Sequence, residues 1–202
     1  MILTVTLNAS IDKLYLVKSL TPYGVTRVQE VVNTAGGKGM NVSRVAALAG
    51  EPVTAMGFAG GYNGQLFQSL INTPGIRPAF TATSSETRCC INVRDEETAS
   101  STEFLEPGNP VTQEEIHRFL ADYRKELEQA KVVAISGSMP KGLPGDFYAT
   151  LTRIAKEAGK TVIVDSSGNS LKEALPGCPD LVKPNAEELQ QLTGADTSSV
   201  GS

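Results

Sequence analysis

One rhythm governs this sequence: short β-rich runs, each followed by a segment with helical periodicity. "ILTVTL" (Ile2–Leu7) reads as a first strand, and "PVTAMGFAGG" as a second buried one with the helix "NGQLFQSLIN" behind it. Later, "KVVAISG", "TVIVDSSG" and "DLVKPN" read as strands. They alternate with the helical segments "PGDFYATLTRIAKEAG" and "AEELQQLTG". Repeated strand–helix units imply a mainly parallel sheet covered by helices, because a parallel connection needs a crossover long enough to hold a helix. The chain of 202 residues suffices for one such α/β domain with a small insertion.

Two regions break the rhythm. "DKLYLV" and "VTRVQEVV" alternate polar and apolar residues, as do "TRCCINVRD" and "STEFLEPG" on either side of the charged turn "DEET". Period-two alternation marks strands with one wet face. These segments, about 12–18, 25–34, 87–94 and 101–106, are expected to form a small separate antiparallel sheet. In "TQEEIHRFLADYRKELEQA", Thr112 and Glu115 make a capping box, and Ile116, Phe119, Leu120, Tyr123 and Leu127 form an apolar stripe. After the glycines, "NVSRVAALAG" places Val42, Val45, Ala46 and Ala49 on one helical face. The last segment, "ADTSSVGS", follows the final helix with no further strand, so the domain either closes there or is truncated.

Composition excludes several functions. Net charge is −4, and Trp is absent, so neither a basic footprint nor a base-stacking surface for nucleic acid is present. No segment has the length of a membrane span, and the start lacks the pattern of a signal peptide. Cys89, Cys90 and Cys178 are odd in number, with two adjacent, which argues against a disulfide framework and for a reducing cytoplasm. His117 is the single histidine and lies on the flank of a capped amphipathic helix, a poor place for a catalytic triad. Cys89 and Cys90 point to opposite faces of their strand, and one of them can touch a ligand.

The glycine run "AGGKGMN" invites comparison with phosphate loops. A Walker A loop is G-x-x-x-x-G-K-[ST]. Here Val32 occupies the place of its first glycine and Gly39 the place of its hydroxyl. The dinucleotide pattern fails as well. Gly36, Gly37 and Gly39 still permit close approach of a ligand to the start of a helix, where free N–H groups favour anions or polar oxygens. The alternative is a tight turn that only starts the helix. Polar residues recur after successive strands: Asn8, Ser10 and Asp12; Ser136, Ser138 and Lys141; Asp165, Ser166 and Ser167; Lys183, Asn185 and Glu188. In a parallel sheet these loops share one edge, where ligands bind. Asn185 and Glu188 fit two roles equally: holding the water shell of Mg²⁺, or capping a helix.

Together "TLNASID", "AGGKGMNVSRVAALAG", "ETRCCINV", "SGSMPKG" and "LVKPNAEEL" resemble the ribokinase-like phosphofructokinase B family. The resemblance is collinear over essentially the whole chain and is nearest to the 1-phosphofructokinase and tagatose-6-phosphate kinase branch. It implies a three-layer α/β sandwich with a β-sheet lid over the sugar site. It implies that Asp12, Gly37 and Asn41 hold sugar hydroxyls. Lys38, Arg27 and Arg88 would bind the phosphate already on the sugar, with Cys90 close by and Ser138 near the sugar. Lys183, Asn185 and Glu188 would serve ATP phosphates and Mg²⁺, the latter through water from Asn185 and Glu188. The reaction implied is transfer of the ATP γ-phosphoryl group to tagatose 6-phosphate or fructose 1-phosphate. A homodimer through the lid is implied too.

The family's Gly-Ala-Gly-Asp signature, which carries the catalytic base, does not occur in this sequence. The chain is therefore expected to be the N-terminal part of a kinase, inactive by itself. A non-catalytic sugar-phosphate-binding module is the other expectation.

Overall fold

The computed structural model describes residues 1–194; the segment 195–202, and with it the reading of "ADTSSVGS", lies outside them. The described residues form two sheets. The larger contains β1 (Ile2–Thr6), β4 (Val53–Gly60), β5 (Ile76–Thr83), β8 (Val132–Ser136), β9 (Thr161–Asp165) and β10 (Leu181–Val182). Its order is β10-β9-β8-β1-β4-β5, and every neighbouring pair is parallel. The smaller sheet, the lid, contains β2 (Ser10–Val17), β3 (Val28–Gly36), β6 (Arg88–Asp95) and β7 (Ser101–Leu105) in the order β3-β2-β6-β7.

Helices cover the large sheet on both faces. On one, α3 (Gln113–Leu127), α4 (Phe147–Glu157) and α5 (Gly168–Ala174) pack on Leu3, Val5, Val133, Ile135, Val162 and Val164. On the other lie α1 (Lys38–Leu48) and α2 (Gly61–Ser69), with Met40 and Phe67 in the core. The last helix, α6, spans Ala186–Thr193. β1 therefore sits where strand order reverses: β4 follows on one side and β8 on the other. The carboxyl ends of β1 and β8 frame the crevice in which ligands of open α/β sheets bind.

Several elements follow from sequence directly. Thr112 and Glu115 form the expected capping box on α3, and Ile116, Phe119, Tyr123 and Leu127 are buried. His117 is exposed.

Other elements depart from expectation. The lid is mixed rather than antiparallel, since β2 and β6 pair in parallel. Both leave the large sheet at the base of the lid, from β1 and from β5, so they run outward side by side while β3 and β7 return. β5 is a further strand that periodicity does not reveal, because Pro78 interrupts its pattern. Proline is tolerated there since β5 is an edge strand. The buried face of α1 is Gly39, Met40 and Ser43, whereas Val45 is 69% exposed. The sheet beneath α1 presents the hydroxyls of Thr4 and Thr54, and Ser43 Oγ meets Thr4 Oγ1 at 2.6 Å. Small polar residues, not valines, fit that contact.

The hinge from β5 into the lid is fastened by two carboxylates. Glu86 accepts hydrogen bonds from the backbone N–H groups of Tyr62 and Asn63, capping α2 from outside the helix. Buried Glu115 accepts from Ser84 N and Ser84 Oγ as well as from Thr112 N.

Candidate functional site

The lid arches over the reversal point, and its inner face follows from strand register. Ser10 pairs with Gly36 and Arg88; Asp12 with Thr34 and Cys90; Leu14 with Val32 and Asn92. On the far strand Leu105 pairs with Cys90 and Glu103 with Asn92. Cross-strand partners project to one face. All of these except Gly36 line a cleft of about 570 Å³, whose other wall is Gly37, Lys38 and Asn41 at the start of α1.

Asp12 is the central acidic group. Ser10 Oγ donates to Asp12 Oδ1 at 2.6 Å, which fixes the carboxylate beside the β2–β3 pairing. Gly36 makes room for it: a Cβ there would lie 2.1 Å from Asp12 Cγ. Gly37 adopts φ +104°, a conformation open to glycine, and turns the chain from β3 into α1. The first turn of α1 has no acidic side chain and no side-chain cap, so its first N–H groups remain available.

Arg88 reaches the cleft but is partly engaged. Its Nε and Nη2 donate to Asn8 O at 3.2 and 3.1 Å, and Nη1 donates to Glu106 O at 2.7 Å. It ties the lid to the end of β1. Asn41 Oδ1 accepts from Arg44 Nη2. Cys90 is buried against the cleft. Burial pushes the thiol of its neighbour Cys89 up, away from thiolate chemistry.

A second chamber of about 250 Å³ opens on the far side of Lys38, toward the Ser136–Ser138 turn. Asn8 Nδ2 donates to Ser138 Oγ at 3.1 Å, joining the loops after β1 and β8. Tyr148, whose phenol burial pushes up, donates from its hydroxyl to Gly137 O and Ser138 O at 3.0 and 3.2 Å. Asp165, at the end of β9, joins the two halves of the site. Its Oδ1 lies 3.5 Å from Lys38 Nζ and 3.4 Å from Lys183 Nζ. Those separations exceed ordinary charge-assisted hydrogen bonds, and the atom has no hydrogen-bond partner, so both are loose ion pairs.

The structure thus brings Asp12, Gly37, Lys38, Asn41, Arg88 and Cys90 into one cleft. Ser138 lies in the adjoining chamber, and Lys183 is linked to Lys38 on the chamber's wall by the shared Asp165 carboxylate. Arg27 is elsewhere. It precedes β3, whose first residue pairs with Val17 at the opposite end from Gly36. At about 3.3 Å per residue that end lies roughly 26 Å away. Asn185 and Glu188 form a capping box on α6: Asn185 Oδ1 accepts from Glu188 N, and Glu188 Oε2 from Asn185 N, both at 2.8 Å. Among the described residues no group of three or more acidic, histidine or cysteine side chains is arranged to hold a metal. No described helix is long and apolar enough to cross a membrane.

From sequence, Asp165 is only one polar loop residue among several. Nothing in one strand's pattern shows that two lysines from distant segments share it. Thr6, beneath Gly37, escapes sequence reasoning because it reads as an ordinary strand residue.

The chain is similar to solved sugar-phosphate kinases. It is 31% identical to a possible 1-phosphofructokinase from Thermotoga maritima, with a TM-score of 0.89 over 97% of this chain and 64% of that one. It is 31% identical to phosphofructokinase-2 from Escherichia coli in complex with fructose-6-phosphate, with a TM-score of 0.87 over 96% and 64% of the two chains. For the tetrameric inhibited form of phosphofructokinase-2 from Escherichia coli, identity is 33% and the TM-score 0.87, over 96% and 64%. The chain thus spans a little under two-thirds of the length of these relatives. Residues 5–200 match the pfkB family carbohydrate kinase profile. With the lid, the reversal-point crevice and the glycine-led helix in place, this chain belongs to the pfkB family of carbohydrate kinases.

Proposed function

We propose that this chain supplies the acceptor site, and part of the nucleotide site, of a kinase that phosphorylates a ketohexose monophosphate, either tagatose 6-phosphate or fructose 1-phosphate. The observation that carries this reading is the Asp12 carboxylate, seated under Gly36 in a cleft whose rim also holds Lys13, Lys38 and Arg88. An ionised carboxylate accepts from sugar hydroxyls, and cations complement a phosphate of about two negative charges. Gly37 and Asn41 complete the hydroxyl contacts, and Cys90 and Ser138 flank the sugar. In this reading Lys38 and Arg88 meet the sugar's phosphate. Arg27, at the outer end of β3, contributes only if the lid or a neighbouring protomer brings it closer.

ATP would lie toward Lys183, Asn185 and Glu188. The capping box leaves Glu188 Oε1 outside the helix cap, so Asn185 and Glu188 fit a water-mediated Mg²⁺. The ion would neutralise charge on the phosphates. With no Gly-Ala-Gly-Asp segment in its sequence, the 202-residue chain is expected to bind without turning over ATP. Turnover by purified residues 1–202 would refute that. The lid also carries exposed Val31 and Phe104, which alternate with the cleft-lining Val32 and Leu105 and so project from its outer face. Strand edges and apolar faces of this kind are usually covered, which supports a homodimer through the lid. Light scattering at micromolar concentration should give the dimer mass, and a monomer would count against it.

The test of the acceptor site is Asp12→Asn. An amide keeps the shape but replaces an acceptor with a donor. Calorimetry should show ketohexose phosphate binding weakened roughly 30-fold or more, since hydrogen bonds to a charged group contribute about 1.5–3 kcal/mol. ATP binding should be unchanged. Equal sugar-phosphate affinity in both proteins would remove Asp12 from the site.

A further inference from the structure

Asn41 is an exposed side chain near the start of α1, and an exposed amide has no fixed direction of its own. On a helix two χ1 wells are open to it, and each allows two orientations of the amide, so about four arrangements compete.

Arg44 removes that freedom. It stands three residues further along α1, on the same face, and its Nη2 donates to Asn41 Oδ1. Its Nη1 donates to Ala35 O at 2.6 Å. Ala35 is buried and belongs to β3, an edge strand of the lid sheet, so this second bond anchors the guanidinium on backbone. One planar fork thus joins the lid edge to the Asn41 amide. A guanidinium only donates, so the Asn41 atom that faces it must be the oxygen. Nδ2 is the corner left for a ligand. It makes no hydrogen bond among the described residues, and Asn41 lines the acceptor cleft.

The cleft then holds a fixed acceptor and a fixed donor. Asp12 is the acceptor, seated by Ser10. Asn41 is the donor, on the wall formed by α1. Neighbouring sugar hydroxyls, each able to donate and to accept, fit such a pair. Arg44 itself does not line the cleft; it borders a separate groove of about 220 Å³, so its effect on the sugar passes through Asn41.

We propose that Arg44 is a positioning residue for the ketohexose phosphate, holding the Asn41 amide with its N–H groups toward the sugar. This deepens the kinase reading above and rests on it.

Calorimetry of residues 1–202 with tagatose 6-phosphate and with fructose 1-phosphate supplies the test, read as a double-mutant cycle. Arg44→Met should weaken sugar-phosphate binding about fourfold, because only about one Asn41 arrangement in four then presents the donor. Asn41→Ala should weaken it about tenfold, the loss of one hydrogen bond. With Asn41→Ala in place, Arg44→Met should change affinity less than about twofold, yet still lower Tm by about 2–4 °C through the freed Ala35 carbonyl. A lost positive charge or a disturbed β3 would act in both backgrounds, so the cycle separates positioning from either. NMR adds a readout that needs no sugar: the heteronuclear NOE of Asn41 Nδ2 should fall in Arg44→Met. Where Arg44→Met fails to fold, Arg44→Lys keeps the charge but not the fork, and should weaken binding at least about twofold with the same dependence on Asn41. Binding unaltered by Arg44→Met, a loss that persists beside Asn41→Ala, or an unchanged NOE overturns the positioning role and leaves the kinase reading standing. No binding of either sugar phosphate by the unsubstituted chain removes the kinase reading, and this role with it.

Discussion

Replacing Gly36 with alanine should lower ketohexose phosphate affinity at least about 100-fold. The added Cβ would fall 2.1 Å from both Cγ and Oδ1 of Asp12 and 2.3 Å from Oδ2, well inside contact distance. Asp12 has one short side chain and one anchoring bond, from Ser10 at 2.6 Å. Two responses are open. The carboxylate can swing away, which breaks the Ser10 bond and empties the hydroxyl-binding position. Otherwise β2 and β3 can part locally, at about 1–3 kcal/mol for overpacking. The first disturbs fewer atoms, so affinity should collapse while stability falls modestly. Calorimetry beside urea denaturation separates the two. Unchanged affinity with a large loss of stability would mean that Gly36 serves the fold alone.

Replacing Glu115 with alanine should have the largest effect on stability, about 3 kcal/mol. Glu115 is 3% exposed and accepts from Ser84 N at 2.6 Å, Ser84 Oγ at 3.0 Å and Thr112 N at 2.8 Å. Removing it leaves two backbone N–H groups without acceptors, each costing about 1–3 kcal/mol when buried. It also releases the hinge between β5 and the lid. Burial raises the pKa of this carboxyl, but the hydrogen bonds from Thr112 and Ser84 outweigh burial and hold it below the usual carboxylate value. A carboxylate depressed in the folded state contributes fully above its unfolded pKa of about 4.3 and loses that contribution as pH falls through the folded value. Between about pH 6 and 8 the carboxyl is ionised in both the folded and the unfolded state, so the stability gap between the two proteins should be constant there. Below about pH 4 the gap should narrow. A gap that does not change with acid would assign the effect to packing.

The parts legible in sequence are those set by local periodicity and local chemistry. The α3 stripe is visible because Ile116, Phe119, Tyr123 and Leu127 recur at helical spacing and all face the sheet. Its cap is visible because Thr112 and Glu115 lie three apart. The loop-end polar residues point to one edge because parallel strands share it. What is not legible depends on partners distant in sequence. The parallel pairing of β2 with β6 is decided by where each strand leaves the large sheet, which alternation does not encode. The buried face of α1 is small and polar because Thr4 and Thr54 lie beneath it, so a search for valines chooses the wrong side. Arg27 neighbours the same lid sheet as Asp12, but pairing register places it at the other end of β3. Asp165 gains meaning only once Lys38 and Lys183 are seen on the same oxygen.

The central claim is that the cleft under the lid, not the Lys183 segment, receives the ketohexose phosphate. Titrating tagatose 6-phosphate and fructose 1-phosphate separately into ¹⁵N-labelled residues 1–202 tests it directly. Saturable shifts at Asp12, Asn41 and Cys90 with at least one of the two sugars, and none at Lys183, Asn185 or Glu188, are predicted. Binding that moves the Lys183–Glu188 signals and leaves Asp12 still, or no binding of either sugar, would contradict it.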